Sequence, residues 1–522
     1  MNGRGSAGSA YALRPFFNLR NPKVRTFLLL LSLLFSLAGT VVSCMRDEEY
    51  TLSPTDVLSF SADTIAFDTV ISGSPTNTYT FTVYNRASKA IRIPTVRLAA
   101  GASSPFKVNV DGTPLADGTA TDFEIAARDS MIVYLMANVP QADTDEPVPV
   151  SDKLLFTTES GVEQEVVLKA AGQAVEEMRG VRISQDAVLN LHRPYRIMDS
   201  LVVEAGATLS IEAGVRLYFH PQAMLIVHGT LLVNGTVDSP VLFRGDRLGN
   251  MFAGQPYDRI PGQWGGIRFS GESYGNDLQY ADIHSSAYGV RVDSSDVQRL
   301  KLNIENCILH NSTQNALDIR MAQVKVGNTQ ITNAGADCVH VRGGDVSFVH
   351  CTIARFYVFT GGSGTALNFA NHDGDTRLPL TRMQFTNCIV TGYQSDEVMG
   401  SQNEAHADAF DYAFSNCLLN TPPVEDDGHI VNCLYDVDDG AATDEEGRAI
   451  VRERNFTPLP DLDALTFSFA LAKGSKAIGH ADASVSASTF PKDRLGRPRG
   501  AEPDMGCYQH VEQPAPTASN GR

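Results

Sequence analysis

Apolar and polar positions in the second half of the chain fall into a recurring hexad. Its copies are Ile304-Glu-Asn-Cys-Ile-Leu309, Val326-Gly-Asn-Thr-Gln-Ile331 and Phe348-Val-His-Cys-Thr-Ile353, at steps of 22 residues. Weaker copies follow at Phe385-Thr-Asn-Cys-Ile-Val390, Phe414-Ser-Asn-Cys-Leu-Leu419 and Ile430-Val-Asn-Cys-Leu-Tyr435, and an earlier relative is Leu278-Gln-Tyr-Ala-Asp-Ile283. A fixed period of this length marks a solenoid, in which each repeat buries its apolar face only against its neighbours. A second strip runs out of phase with the first, through Ala287-Tyr-Gly-Val-Arg-Val292, Asn315-Ala-Leu-Asp-Ile319, Asp337-Cys-Val-His-Val341 and Thr365-Ala-Leu-Asn-Phe369. Two strips per period predict two strands per coil, with inward aliphatics stacked at the parallel-sheet spacing of about 4.8 Å. The hexads at Phe385 and Phe414 come 37 and 29 residues after their predecessors, so loops are inserted there, whereas Ile430 follows by only 16 and closes a short coil. Loops inserted on one side of a solenoid mark its working face.

Short apolar segments of the same kind begin near residue 180: Leu201-Val-Val, Leu209-Ser-Ile, Leu217-Tyr-Phe219, Leu225-Ile-Val, Leu231-Leu-Val and Val241-Leu-Phe243, most of them separated by a glycine-containing bend. Strands this short are stable only when stacked. Residues 55–175 follow a different rule. Thr78-Tyr-Thr-Phe-Thr-Val-Tyr84 alternates strictly, and Ile91-Arg-Ile, Phe106–Val110, Met131–Leu135, Lys153–Phe156 and Val166–Leu168 are further short strands between Gly, Pro, Asn and Asp. That spacing predicts an antiparallel β-sandwich.

The run "VEAGATLSIEAGVRLYF…LIVHGTLLVNGTVDSPVLF" followed by "GQWGGIRF" resembles the opening coils of right-handed parallel β-helix proteins. The segments "VYNRASKAIRI", "SPFKVNVDG" and "EVVLKAAGQ" resemble an Ig-like domain of the type found in Hydin-related proteins. The terminal "FALAKGSKAIGHADA…DRLGRPRGAEPDMGCYQ" resembles the closing segment of bacterial secreted β-helix proteins. Met505, Cys507 and Gln509 depart from its usual motif. The expected fold class is therefore all-β: a right-handed parallel β-helix over 180–455, an Ig-like sandwich over 55–175 as its spacer, and a cap over 456–510. Such a cap would shield an exposed sheet edge. Residues 511–522 read as a disordered tail.

Charge narrows the partners. A formal net charge of −18 over 522 residues argues against nucleic acid, whose phosphates need clustered Lys and Arg. The N-terminus is the exception, with Arg4, Arg14, Arg20, Lys23 and Arg25 ahead of the apolar run Phe27–Ala38. A basic head and a short apolar stretch read as a secretory signal over 1–43. Val41-Val-Ser-Cys44 resembles a bacterial lipobox, which implies diacylation of Cys44 and a membrane partner through lipid chains. The tether 44–54 carries Asp47, Glu48 and Glu49. It resembles the acidic export tag of Bacteroidetes-type lipoproteins, which implies an outer-membrane anchor facing the cell surface, with a periplasmic orientation as the alternative.

Candidate chemistry is sparse. Cys307, Cys351, Cys388, Cys417 and Cys433 share one hexad position and read as a ladder of core thiols. They lack the close spacing of a metal site, and only the neighbouring pairs Cys351–Cys388 and Cys417–Cys433 could bridge. Trp264 resembles a coil-packing residue of related β-helices. His340, between Val339 and Val341, faces outward if they face inward. Together with Asp337, Arg291, Arg320 and Arg342 it forms the candidate ligand-binding set. No cofactor is expected. Asn371-His-Asp-Gly-Asp375 has Ca²⁺-like oxygen ligands without a full Ca²⁺ loop and reads as a solvated turn, with Ca²⁺ binding as the alternative. The acidic runs Glu425–Asp427 and Asp436–Asp439 read as solvated. The β-helix fold hosts polysaccharide lyases and glycoside hydrolases, but fold alone assigns no chemistry. The paired-Asp and Gly-His-Gly elements of pectinases are missing. The expected function is binding of a glycan or surface protein by the outward solenoid face, with a lyase or hydrolase and a pure scaffold as alternatives.

Overall fold

The computed structural model describes residues 26, 49–252, 254–359, 362–403, 410–424, 428–436 and 455–511. The signal apart from Thr26, Cys44–Glu48 at the head of the acidic tether, Glu425–Asp427, Val437–Asp439 and nearly all of the terminal tail lie outside the described residues.

Residues 58–173 form a sandwich of two five-stranded sheets. One sheet runs, edge to edge, through Leu58–Phe60, Tyr79–Asn85, Ser130–Ala137, Phe106–Val110 and Thr113–Pro114. The other runs through Thr64–Ile71, Glu163–Gln173, Val148–Thr157, Ile91–Leu98 and Thr119–Ile125. Pairing is antiparallel except between Thr64–Ile71 and Glu163–Gln173. The strand Ser130–Ala137 shows the cause: Met131, Val133, Leu135 and Ala137 are buried, and the residues between them are exposed.

From Glu176 to Tyr435 the chain is a parallel β-helix. A full coil has three strand segments rather than the two expected from two strips, and the last described coil has two, Ile430–Val431 and Leu434–Tyr435. The first and second faces belong to one 17-stranded sheet, and the third face is an 11-stranded sheet. In the strand Leu317–Gly327 the first segment, Leu317–Arg320, runs on into the second, Ala322–Gly327. The third face follows with Gln330–Ala334. The hexad is therefore a corner. In Ile304–Leu309 the first two residues end a second-face strand, and Ile308 and Leu309 begin the third face. Asn306 turns the chain between them with φ +57°, and Tyr280, Asn328, His350, Asn387, Asn416 and Asn432 do the same with φ between +47° and +56°. Asn tolerates this left-handed conformation better than other side chains.

Inward positions stack coil on coil. Phe348 lies on Phe385 with ring centroids 4.4 Å apart, and Phe385 on Phe414 at 5.2 Å. Trp264 is a core residue, stacked on Phe219 at 4.2 Å and donating Nε1–H to the His284 carbonyl. The hexad cysteines are free thiols that continue the ladder. The N–H groups of Cys351, Cys388 and Cys417 each donate at 3.4 Å to the sulfur of the next coil, and Cys307 N–H donates to Thr329 Oγ1 at 3.2 Å. Burial pushes the Cys307 thiol up to about 12.

The segment 455–511, which contains the expected cap 456–510, packs along the third face. Phe456, Phe469, Leu471, Met505 and Tyr508 pack with Ala354, Phe356, Ile389 and Leu418. Third-face positions that alternation turns away from the coil interior are apolar there, and this strap covers them. Its helix Ala483–Thr489 starts at Asp482, whose carboxylate accepts the Ser484 and Val485 N–H groups.

Candidate functional site

The first face turns one side chain per coil outward at each register position. One such row reads Arg268, Arg291, Asp318, His340, Asn368, Met399, and the next pairs Arg320 with Arg342. Val339 and Val341 are fully buried while His340 is part-exposed, as the alternation requires. The insertion after Phe369 forms a small hairpin, His372–Asp373 against Thr376–Arg377, which folds back over these rows. Its Asp373 carboxylate accepts from Arg320 Nε at 3.1 Å and Arg342 Nη1 at 3.2 Å. Arg342 Nη2 also donates to Asp318 at 2.6 Å, and Arg320 Nη1 to Ser294 Oγ at 2.8 Å. Hydrogen bonding to Arg320, with the Arg342 charge behind it, holds the Asp373 carboxyl below its usual range. The two guanidinium groups that hold Asp373 oppose a cation at this carboxylate.

Of the five candidate residues, the structure gathers Arg320, Arg342, Asp337 and His340 and leaves Arg291 aside, at 3.5 Å from Asp293. Asp337 is a corner residue. Its Oδ1 accepts Thr365 N–H at 2.9 Å, and its Oδ2 lies 3.1 Å from Asn368 Nδ2 and 3.3 Å from His340 Nδ1. Burial, against the pull of the Asp337 charge, lowers the His340 pKa.

A second cluster, absent from the expected set, occupies the outward side of the third face. His284 and His310 are register partners on adjacent coils, with rings 4.7 Å apart. Asp282 Oδ1 lies 2.9 Å from His284 Nδ1 and 3.4 Å from His310 Nε2, and Asp258 Oδ1 lies 2.7 Å from His284 Nε2. Burial disfavours the imidazolium, but the Asp282 charge and the hydrogen bonds to Asp258 and Asp282 outweigh burial and raise the His284 pKa to about 9. The signal was available in the sequence. Each histidine directly follows a hexad copy, Leu278–Ile283 and Ile304–Leu309, so the repeat register itself superposes them.

Residues 181–347 match a family model described as a pectate-lyase like beta helix domain. The match covers less than half of the chain. Among curated proteins no match was found. Structural similarity extends to WR4, a C. elegans MSP family member, at 9% identity over 22% of this chain and 96% of that one, TM-score 0.15. It extends also to PapD-like domain 7 of human CEP192, at 9% identity over 25% and 94%, TM-score 0.16. The catalytic domain of a GH87 alpha-1,3-glucanase in complex with nigerose matches at 8% identity over 74% and 93%, TM-score 0.18. None of these likenesses transfers a residue role.

Proposed function

We propose that this is a lipid-anchored cell-envelope protein whose solenoid binds a glycan on its first face, around Arg320, Arg342, His340 and Asp373. The observation that carries the reading is the hairpin folded back over the outward rows. It lines up part-exposed guanidinium, carboxylate, imidazole and amide groups beside one another. Such a row offers fixed donors and acceptors to sugar hydroxyls.

Binding is favoured over turnover by the state of the carboxylates. Asp318 and Asp373 are held by Arg342 and Arg320, and Asp337 by Thr365 and Asn368. A glycosidase needs one carboxylic acid with a raised pKa opposite a second carboxylate, and the Asp373 pKa is moved the other way. The lipid anchor rests on the Val41–Cys44 pattern, and surface exposure on the acids that follow it.

A glycan array probed with the mature chain and with the double variant Arg320→Ala/Arg342→Ala tests the site. Glycan hits that the variant loses are expected. Equal profiles, or protein capture without any glycan hit, overturn the glycan reading. Cys44→Ser in a bacterial host tests the anchor: the chain leaves the membrane fraction if the reading holds and stays if it does not.

A further inference from the structure

We propose that Asp282, His284 and His310 form a binding site for a divalent first-row transition metal, with Asp258 as the carboxylate that positions the central histidine. The backbone explains why these groups meet. Ala281–His284 and Ile308–Ser312 are neighbouring third-face strands in which Ile283 and Leu309 point into the core, so Asp282, His284 and His310 point out of it together. One ligand atom from each lies within 4.8 Å of the other two. Metal–ligand bonds of about 2.0–2.2 Å in tetrahedral geometry need donor atoms about 3.3–3.6 Å apart. The two carboxylate–imidazole separations, 2.9 and 3.4 Å, are already close to that.

The outer groups match what a metal site needs. A metal-bound histidine is oriented when its other ring nitrogen donates to a carboxylate. Asp258 stands 2.7 Å from His284 Nε2, and Arg244 Nη1 fixes Asp258 from 2.7 Å. Two imidazoles and one carboxylate suit Zn²⁺, Co²⁺ or Ni²⁺, whereas Mg²⁺ and Ca²⁺ prefer all-oxygen sets. The site also has an approach. His310 borders a cavity of about 470 Å³ between the third face and the terminal strap, lined among others by Arg259, Gln330 and Thr332. Water from that cavity can fill the remaining coordination positions. On binding, the metal replaces the proton that bridges His284 Nδ1 and Asp282, and one proton goes to solvent.

The test uses the chelator-stripped mature protein, titrated with Zn²⁺ in a calorimeter and with Co²⁺ under visible absorption. Saturable binding of one equivalent is expected, with Co²⁺ d–d bands and no sulfur-to-metal charge transfer. His310→Ala, at a part-exposed position, removes that binding while keeping the wild-type melting curve, and Asp258→Asn weakens it by about 10- to 100-fold. His220→Ala, in a separate Asp246 pair, leaves it intact. Equal affinity of wild type and His310→Ala, no saturable binding in the wild type, or a thiolate band that places the metal on the cysteines overturns the proposal.

Discussion

Histidine 350 stands where five of the six other hexads carry asparagine, and it keeps their left-handed turn with φ +52°. Its ring is fully buried beneath the terminal strap, with Nε2 2.8 Å from Ser486 Oγ. Burial, reinforced by the Arg499 charge, pushes its pKa down to about 3. The unfolded chain takes up a proton near pH 6.5 that the folded chain refuses until about pH 3. The His350 contribution is therefore complete above pH 6.5 and declines as the pH falls through that window, by about 1.4 kcal/mol per pH unit. His350→Asn, which restores the commoner corner residue, should melt near the wild type at pH 7 and lose less stability down to pH 4. Parallel acid limbs in thermal melts of the two proteins would contradict this. The same scale shows what the sequence withheld. The outward aim of His340, Arg320 and Arg342 follows from alternation with buried neighbours. That Asp373 joins the two arginines does not, because a hairpin's fold-back depends on tertiary contacts that no local period encodes.

The hexad at the scale of the element is a corner between two faces, and this is why two visible strips became three strands. Leu317–Gly327 bends between its two segments at Met321, with φ +43°, and no glycine or proline marks that bend. The repeat length, the inward stacks and the Cys ladder were legible, because stacking forces one residue type per position. The third strand was not, because the hexad runs across the corner and joins the end of one strand to the start of the next in a single apolar strip. The ladder carries a testable energy. Cys388 Sγ accepts the buried N–H of Cys351 at 3.4 Å, and Thr329 fills the equivalent place one coil before Cys351 with a hydroxyl. Cys388→Ala leaves that N–H without its acceptor and should cost about 1–3 kcal/mol. Cys388→Thr should recover part of the loss. Urea midpoints of the three proteins decide it: equal midpoints for Ala and Thr would mean that the sulfur acts by volume alone.

Across the whole molecule, the acidic, repeat-built chain has two folded bodies in contact. Asn77 Nδ2 donates to the Tyr257 hydroxyl at 2.9 Å, and Arg193 reaches Asp143 and Asp145 from the first coils. The terminal strap is the third part, and a capping motif does not say which surface it covers. It binds two adjacent coils far from it in sequence: Arg494 Nε donates to the Cys307 carbonyl, Arg499 Nη2 to Asn328 Oδ1 at 2.7 Å, and Tyr508 OH to Gln330 at 2.7 Å. Beneath it lie Ala354, Phe356, Ile389 and Leu418, none more than 1% exposed. A solenoid whose outer face is apolar cannot stay monomeric once that face meets water, since exposed patches of this kind drive association. A chain ending at residue 454 should therefore be recovered as aggregates or larger oligomers by size exclusion. Phe469→Ala is the milder version. Phe469 packs edge-to-face on Phe456 at 5.3 Å and stacks with Phe356 at 6.2 Å. Its truncation should cost about 3–5 kcal/mol in a monomer that still folds. If the shortened chain elutes as a monomer with an unchanged melting temperature, the strap is an ornament on a self-sufficient solenoid. If it aggregates while Phe469→Ala melts early, the strap is part of the core.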